Sequence, residues 1–155
     1  MLSWIYYLSL VNSLIGEHIV VHFMPATPPA TISGDRTQIE QLALNLCINA
    51  RDAIRGNGTL SVKIAETRLS EGFCARSHWA KPDHYARLTV EDTGSGMTAE
   101  TKAKIFDPFF TTKEAGKGIG LGLSSVLDIV QQLGGLIQLE SEFGTSVSVC
   151  FPMAN

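Results

Sequence analysis

Two asparagines four residues apart, Asn45 and Asn49, lie in the stretch NLCINARDA (45–53). At helical spacing they share one face. Asparagine is a modest helix former, so two on one face ask for a reason. An amide oxygen can ligate a hard cation such as Mg²⁺, and an amide nitrogen can donate to a phosphate. Asp52, one turn beyond Asn49, could join such a site through water. A pair of solvated asparagines would show the same spacing. In EDTGSGM (91–97), Asp92 ends an apolar strand, and Gly94, Gly96 and Met97 follow. A carboxylate only accepts hydrogen bonds, which suits an exocyclic amine such as that of adenine. The glycines let a ligand approach the backbone closely. An Asp-Thr-Gly turn is the plainer alternative. IFDPFFTTK (105–113) gathers Phe106, Phe109 and Phe110 around a proline and ends on Lys113. Its aromatics could anchor a loop while Lys113 reaches a phosphate; a hydrophobic turn is the alternative.

EAGKGIGLGL (114–123) places Gly116, Gly118, Gly120 and Gly122 directly before an apolar run. A glycine costs about 1 kcal/mol in a helix interior relative to alanine, so a bare backbone is required here for some purpose. Exposed N–H groups at a helix start, with the helix dipole behind them, attract an anion. The stretch is not a P-loop, because no GK[ST] closes it. It is not a dinucleotide fingerprint either, because its glycines recur every two residues and no βαβ unit frames it. It reads as a mobile lid that closes over phosphates.

The elements that must position these groups follow from periodicity. HIVVHFM (18–24) reads as a strand and PATPPATIS (25–33) as a proline-rich turn. Asp35 caps a helix that runs to about Ile54, with Ile39, Leu42, Leu46, Ala50 and Ala53 on its buried face. Gly56-Asn57-Gly58 ends it. TLSVKIAE (59–66) and ARLTVED (86–92) alternate as strands, and residues 67–85 between them read as an exposed hairpin insertion. Thr98 to Phe106 is expected to be a short helix, and Leu121 to Leu133 a longer one that stops at Gly134-Gly135. LIQLES (136–141) and SVSVCF (146–151) are two closing strands. The order predicts an α+β domain: a two-layer sandwich with helices on one face of a mixed, mostly antiparallel sheet.

The 155 residues suit one domain with a real core, and 45% hydrophobic content fits an ordinary globular chain. A net charge of −3 offers no basic surface for nucleic acid or anionic lipid. Cys47, Cys74 and Cys150 show no metal-ligand spacing and are expected to be reduced thiols. Residues 1–15 carry no charge, are too short to span a membrane and lack the basic start of a signal peptide. They read as the end of a preceding helix or as sequence added in cloning. Residues 16–155 form the domain.

The order of these motifs resembles the ATP-binding catalytic domain of sensor histidine kinases, in the superfamily shared with gyrase, mismatch-repair ATPases and a heat-shock chaperone. NARDA, DTGSGM, FDPFFTTK and GKGIGLGL carry the resemblance, which covers about Gly16 to Pro152. It implies that Asn49 holds Mg²⁺ and that Asn45 supports the phosphate and metal site. Asp92 would accept from the adenine amine, with Gly94, Gly96 and Met97 lining the base. Phe106 and Phe109 would seat the lid. Lys113 and the backbone near Gly116, Gly118, Gly120, Leu121 and Gly122 would contact phosphates, and Thr145 would sit near adenine. The family's last glycine motif, G-x-G-T, is reduced here to Gly144-Thr145, and the turn is two residues short.

The resemblance further implies phosphoryl transfer from Mg-ATP to a histidine on a separate helical dimerisation domain, and then to the receiver domain of a response regulator. None of His18, His22, His78 or His84 has the sequence context of that phosphoacceptor. The hydrolytic relatives place a glutamate at the position of Asn45, and an amide cannot act as a base. A protein serine kinase of the anti-sigma type and a nucleotide-sensing module on the same fold are the alternatives. The expected setting is cytoplasmic, with no nucleic-acid partner and no direct membrane contact by this domain.

Overall fold

The computed structural model describes residues 13, 15–25, 32–68, 84–96, 99–100, 122–141 and 144–153. The described elements run β1 (Ile19–Met24), α1 (Arg36–Ala53), β2 (Gly58–Arg68), β3 (His84–Asp92), α2 (Gly122–Gln132), β4 (Leu136–Ser141) and β5 (Thr145–Pro152). The strands form one sheet in the order β1-β2-β3-β5-β4. β1 and β2 are parallel, and every other neighbouring pair is antiparallel. This is the mixed, mostly antiparallel α+β architecture expected from the sequence.

α1 begins where its cap dictates. The Asp35 carboxylate accepts from the Thr37 N–H at 2.8 Å, satisfying one donor of the first turn. α2 ends in a Schellman arrangement: Gly134 has φ 69°, its N–H donates to Gln131 O, and the Gly135 N–H donates to Val130 O at 2.9 Å. Leu42, Leu46, Cys47 and Ala50 of α1 and Val126, Ile129 and Val130 of α2 pack on one face of the sheet. The sheet contributes Leu60, Val62, Leu88, Val90, Val147, Val149 and Phe151 to that core, the alternate residues of their strands. Ile15 is buried in the same cluster. Burial pushes the Cys47 thiol up to about 12, so it is an inert packing group rather than a nucleophile.

Two features depart from the periodicity. β2 and β3 pair as far as Arg68 and His84, beyond the expected Glu66 and Ala86. Polar residues at the hairpin stem hide the alternation there: His84 Nδ1 lies 2.8 Å from Glu66 Oε1. Second, β3 and β4 are each antiparallel to β5, so they are parallel to one another with β5 between them. The chain from β3 through α2 to β4 is therefore a split crossover. The glycine period of two and the 24 positions from Asp92 to Gly116, and not the lack of a βαβ unit, separate the stretch 114–123 from a dinucleotide fingerprint. Of the expected helix after Thr98, Ala99 and Glu100 are described and helical.

Candidate functional site

Asp92 is the last residue of β3, opposite Thr145 of β5 and Leu60 of β2. Its Oδ1 accepts from the Gly94 N–H at 2.8 Å. Burial raises its carboxyl above the ordinary carboxylate range, and backbone N–H bonds from Gly94 and Thr145 offset part of that. A half-buried acceptor is thus fixed at the end of a strand by two main-chain donors.

The surroundings close on it without room for side chains. A Cβ at Gly94 would lie 2.4 Å from Ala53 O, and one at Gly144 would lie 2.3 Å from Asp92 O. Gly144 also has φ 121° and Gly96 has φ 74°, both left-handed. The Ser95 N–H donates to Ala53 O at 3.2 Å, tying this loop to the end of α1. Thr93 is clamped to the start of β2: its N–H donates to Thr59 O at 3.2 Å, and its Oγ1 accepts from the Thr59 N–H at 3.0 Å. The end of α1, the loop after Asp92 and the Gly144-Thr145 turn therefore meet at one rim of the sheet.

Asn49 stands one helical turn before Ala53, on the same face of α1 as Asn45. The Asn45 Oδ1 accepts from Gln41 Nε2 at 3.0 Å, which leaves the amide oriented. The Asn49 Nδ2 is buried and has no hydrogen-bond partner among the described residues. A buried donor left unpaired costs about 1–3 kcal/mol, so it calls for an acceptor. A phosphate oxygen on Nδ2, with the amide oxygen turned to a hard cation, satisfies both ends of the side chain. Among the described residues no group of three His, Cys, Asp or Glu side chains could hold a metal.

Asp52 is held by Arg51, with Arg51 Nη2 2.9 Å from its Oδ1. Gly122 opens α2. Met97, Phe106, Phe109, Lys113, Gly116, Gly118, Gly120 and Leu121 lie outside the described residues. Sequence reasoning missed Gln41, Thr93 and Ser141. Gln41 could have been found from its i,i+4 spacing to Asn45. Ser141 could have been suspected from the shortened turn, which brings it opposite Thr145. A concavity of about 410 Å³ lined by Lys63, Arg87, Thr89, Glu91 and Ser148 lies on the other face of the sheet and includes none of the residues just described.

Residues 34–155 match the family model described as "Histidine kinase-, DNA gyrase B-, and HSP90-like ATPase". The chain is 40% identical over 137 residues to the sensor kinase CckA of Brucella abortus (strain 2308), covering 87% of this chain and 14% of that protein. It is 39% identical over 127 residues to the two-component sensor PprA of Pseudomonas aeruginosa, covering 79% of this chain and 13% of that protein. The chain therefore spans about a seventh of the length of these relatives. A nucleotide-free structure of the catalytic domain of the histidine kinase ThkA superposes with a TM-score of 0.70 at 29% identity, over 95% of this chain and 90% of that one. These likenesses and the rim built around Asp92 agree, and the chain belongs to the histidine kinase-, DNA gyrase B- and HSP90-like ATPase family, as an ATP-binding catalytic domain of the sensor histidine kinase type.

Proposed function

We propose that this domain binds Mg-ATP at the rim between α1 and Asp92 and presents the γ-phosphate to a histidine on a separate helical dimerisation domain. The observation that carries the reading is the buried Asn49 Nδ2, unpaired among the described residues, on the face it shares with Asn45. Asp92 accepts from the exocyclic amine of adenine, and Gly94 and Gly96 leave the base room against the backbone. Asn49 and Asn45 hold the magnesium and phosphate end of the nucleotide. Magnesium, when bound there, would supply charge neutralisation. Lys113 and the glycines from Gly116 to Gly122 close over the phosphates, with Phe106 and Phe109 seating that lid.

In the transfer the bond from the γ-phosphorus to the ADP oxygen breaks, and a phosphorus–nitrogen bond to the imidazole forms. Positioning and charge neutralisation do most of the catalysis in such a step. Neither Asn45 nor Asn49 can take a proton from water, which supports transfer over hydrolysis. A receiver domain of a response regulator is the onward acceptor. The expected setting is the cytoplasmic side, where ATP is available; no helix among the described residues is long and apolar enough to cross a membrane.

Calorimetry with ADP and Mg²⁺ tests the site. Micromolar to millimolar affinity is expected for the wild type. Asp92→Ala should weaken it by 1–3 kcal/mol, about 5- to 150-fold, the cost of leaving the adenine amine unpaired. Equal ADP affinity in the variant would remove Asp92 from the base site.

A further inference from the structure

Ser141 ends β4 and faces Thr145, which begins β5 and in turn faces Asp92 across the next strand pair. Both residues are 7% exposed. Ser141 Oγ donates to the Gly144 carbonyl at 3.0 Å and lies 3.1 Å from Thr145 Oγ1. These two contacts fix the proton order. A carbonyl only accepts, and serine has one hydroxyl proton, so that proton goes to Gly144 O. The contact between the hydroxyls then needs the Thr145 proton to point at Ser141. Thr145 is left with lone pairs only for anything else it meets. The carboxylate opposite it is likewise an acceptor, fed from the protein side by Gly94 and Thr145 N–H groups.

We propose that Ser141 is a positioning residue for base selection: it locks the Thr145 hydroxyl as an acceptor beside Asp92, so that the site takes a 6-amino purine and rejects a 6-oxo purine. The inference rests on the reading of Asp92 as the base-recognition carboxylate. The shortened turn makes it possible. With Glu142, Phe143 and Gly144 alone between the two strands, Ser141 and Thr145 become register partners whose hydroxyls touch. Without the serine hydroxyl, the Thr145 proton is free to rotate toward the ligand and donate to a 6-oxo group.

The test is calorimetry of the 155-residue chain with ADP and with inosine diphosphate, each with Mg²⁺. Inosine diphosphate carries the 6-oxo group in place of the amine. Ser141→Ala should lower the ratio of ADP to inosine diphosphate affinity by about three- to tenfold, the worth of one neutral hydrogen bond. Ser141→Cys, close in shape with a much weaker donor, should move the ratio the same way and serves if the alanine variant folds poorly. In a Thr145→Val background, Ser141→Ala should change the ratio less than about twofold, because the two act through one hydroxyl. Equal weakening of both nucleotides by Ser141→Ala would mark a merely structural role and overturn the proposal. So would a ratio shift of the same size in the Thr145→Val background. A wild type that does not prefer ADP, or a preference untouched by Asp92→Asn, would sink the reading of the site itself and this inference with it. A wild-type preference that depends on Asp92 but not on Ser141 would sink the inference alone.

Discussion

Gly94→Ala is expected to damage both the fold and the nucleotide site, and the size of the damage follows from the geometry. The added methyl would sit 2.4 Å from Ala53 O, 2.7 Å from Ala53 C and 2.8 Å from Asp92 Oδ1, whereas real Cβ contacts are essentially never under 3.0 Å. Ala53 is backbone at the end of an 18-residue helix and cannot retreat alone. The loop must therefore move, by at least the difference between 2.4 and 3.0 Å. That motion strains two hydrogen bonds, from the Ser95 N–H to Ala53 O and from the Gly94 N–H to the Asp92 carboxylate. A neutral bond contributes about 0.5–1.5 kcal/mol and one to a charged group about 1.5–3, so the loss is about 2–4 kcal/mol. For a domain of this size that lowers Tm by about 5–15 °C. ADP affinity should fall at least about tenfold, because a displaced carboxylate no longer meets the base. The assay is thermal unfolding beside calorimetry, with Gly56→Ala as control. Gly56 has φ 76° but nothing within 4 Å of an added Cβ, so its variant pays backbone strain and should keep its ADP affinity. A Gly94→Ala protein with unchanged Tm and ADP affinity within twofold of wild type would refute the close-approach reasoning.

Asn49→Ala should abolish the Mg²⁺ enhancement of nucleotide binding while leaving stability without nucleotide unchanged or slightly higher, since a buried unpaired donor is removed; calorimetry with and without Mg²⁺ and urea unfolding check both. In the nucleotide-free protein the contribution of Asp92 to stability should fall as pH rises. The Asp92 carboxyl is raised above its unfolded value of 3.8, mainly by burial, so the folded state binds more protons between the two values. Its contribution is fully present below the unfolded pKa and is lost as pH rises through the folded one. Urea unfolding from pH 3.5 upward should show this slope in the wild type and a flatter one in Asp92→Asn. A slope unchanged by that substitution would assign the pH dependence elsewhere.

Much of the positioning was legible from local chemistry. Asp35 announced its helix because a side-chain acceptor before an apolar period has one common use. The strand β5 was legible because Ser146 to Val149 alternate polar and apolar. The place of Asp92 at the end of its strand was legible because glycines follow it at once. The partners of Asp92 were not. That Gly144 lies against its carbonyl, and that the Thr145 N–H reaches its carboxylate, depends on a strand pairing between residues more than fifty positions apart. Periodicity is local and carries no such register. The unpaired Asn49 Nδ2 was equally hidden, because the spacing of Asn45 and Asn49 also fits two solvated amides; only burial separates the readings. The parallel pairing of β1 with β2 across α1 was hidden for the same reason.

The most direct measurement is transfer of label from γ-labelled ATP. The chain alone, with Mg²⁺, should bind ATP yet take up no label and release little phosphate. A histidine-bearing helical dimerisation domain of a sensor kinase, supplied as a separate polypeptide, should become labelled in its presence, weakly because no tether holds the two together. That label should be lost in acid and survive base, as a phosphoramidate is and does. Acid-stable label on the acceptor would contradict histidine transfer in favour of a serine kinase. Rapid phosphate release by the isolated chain, abolished on changing Asn45 or Asn49, would contradict it in favour of an ATPase.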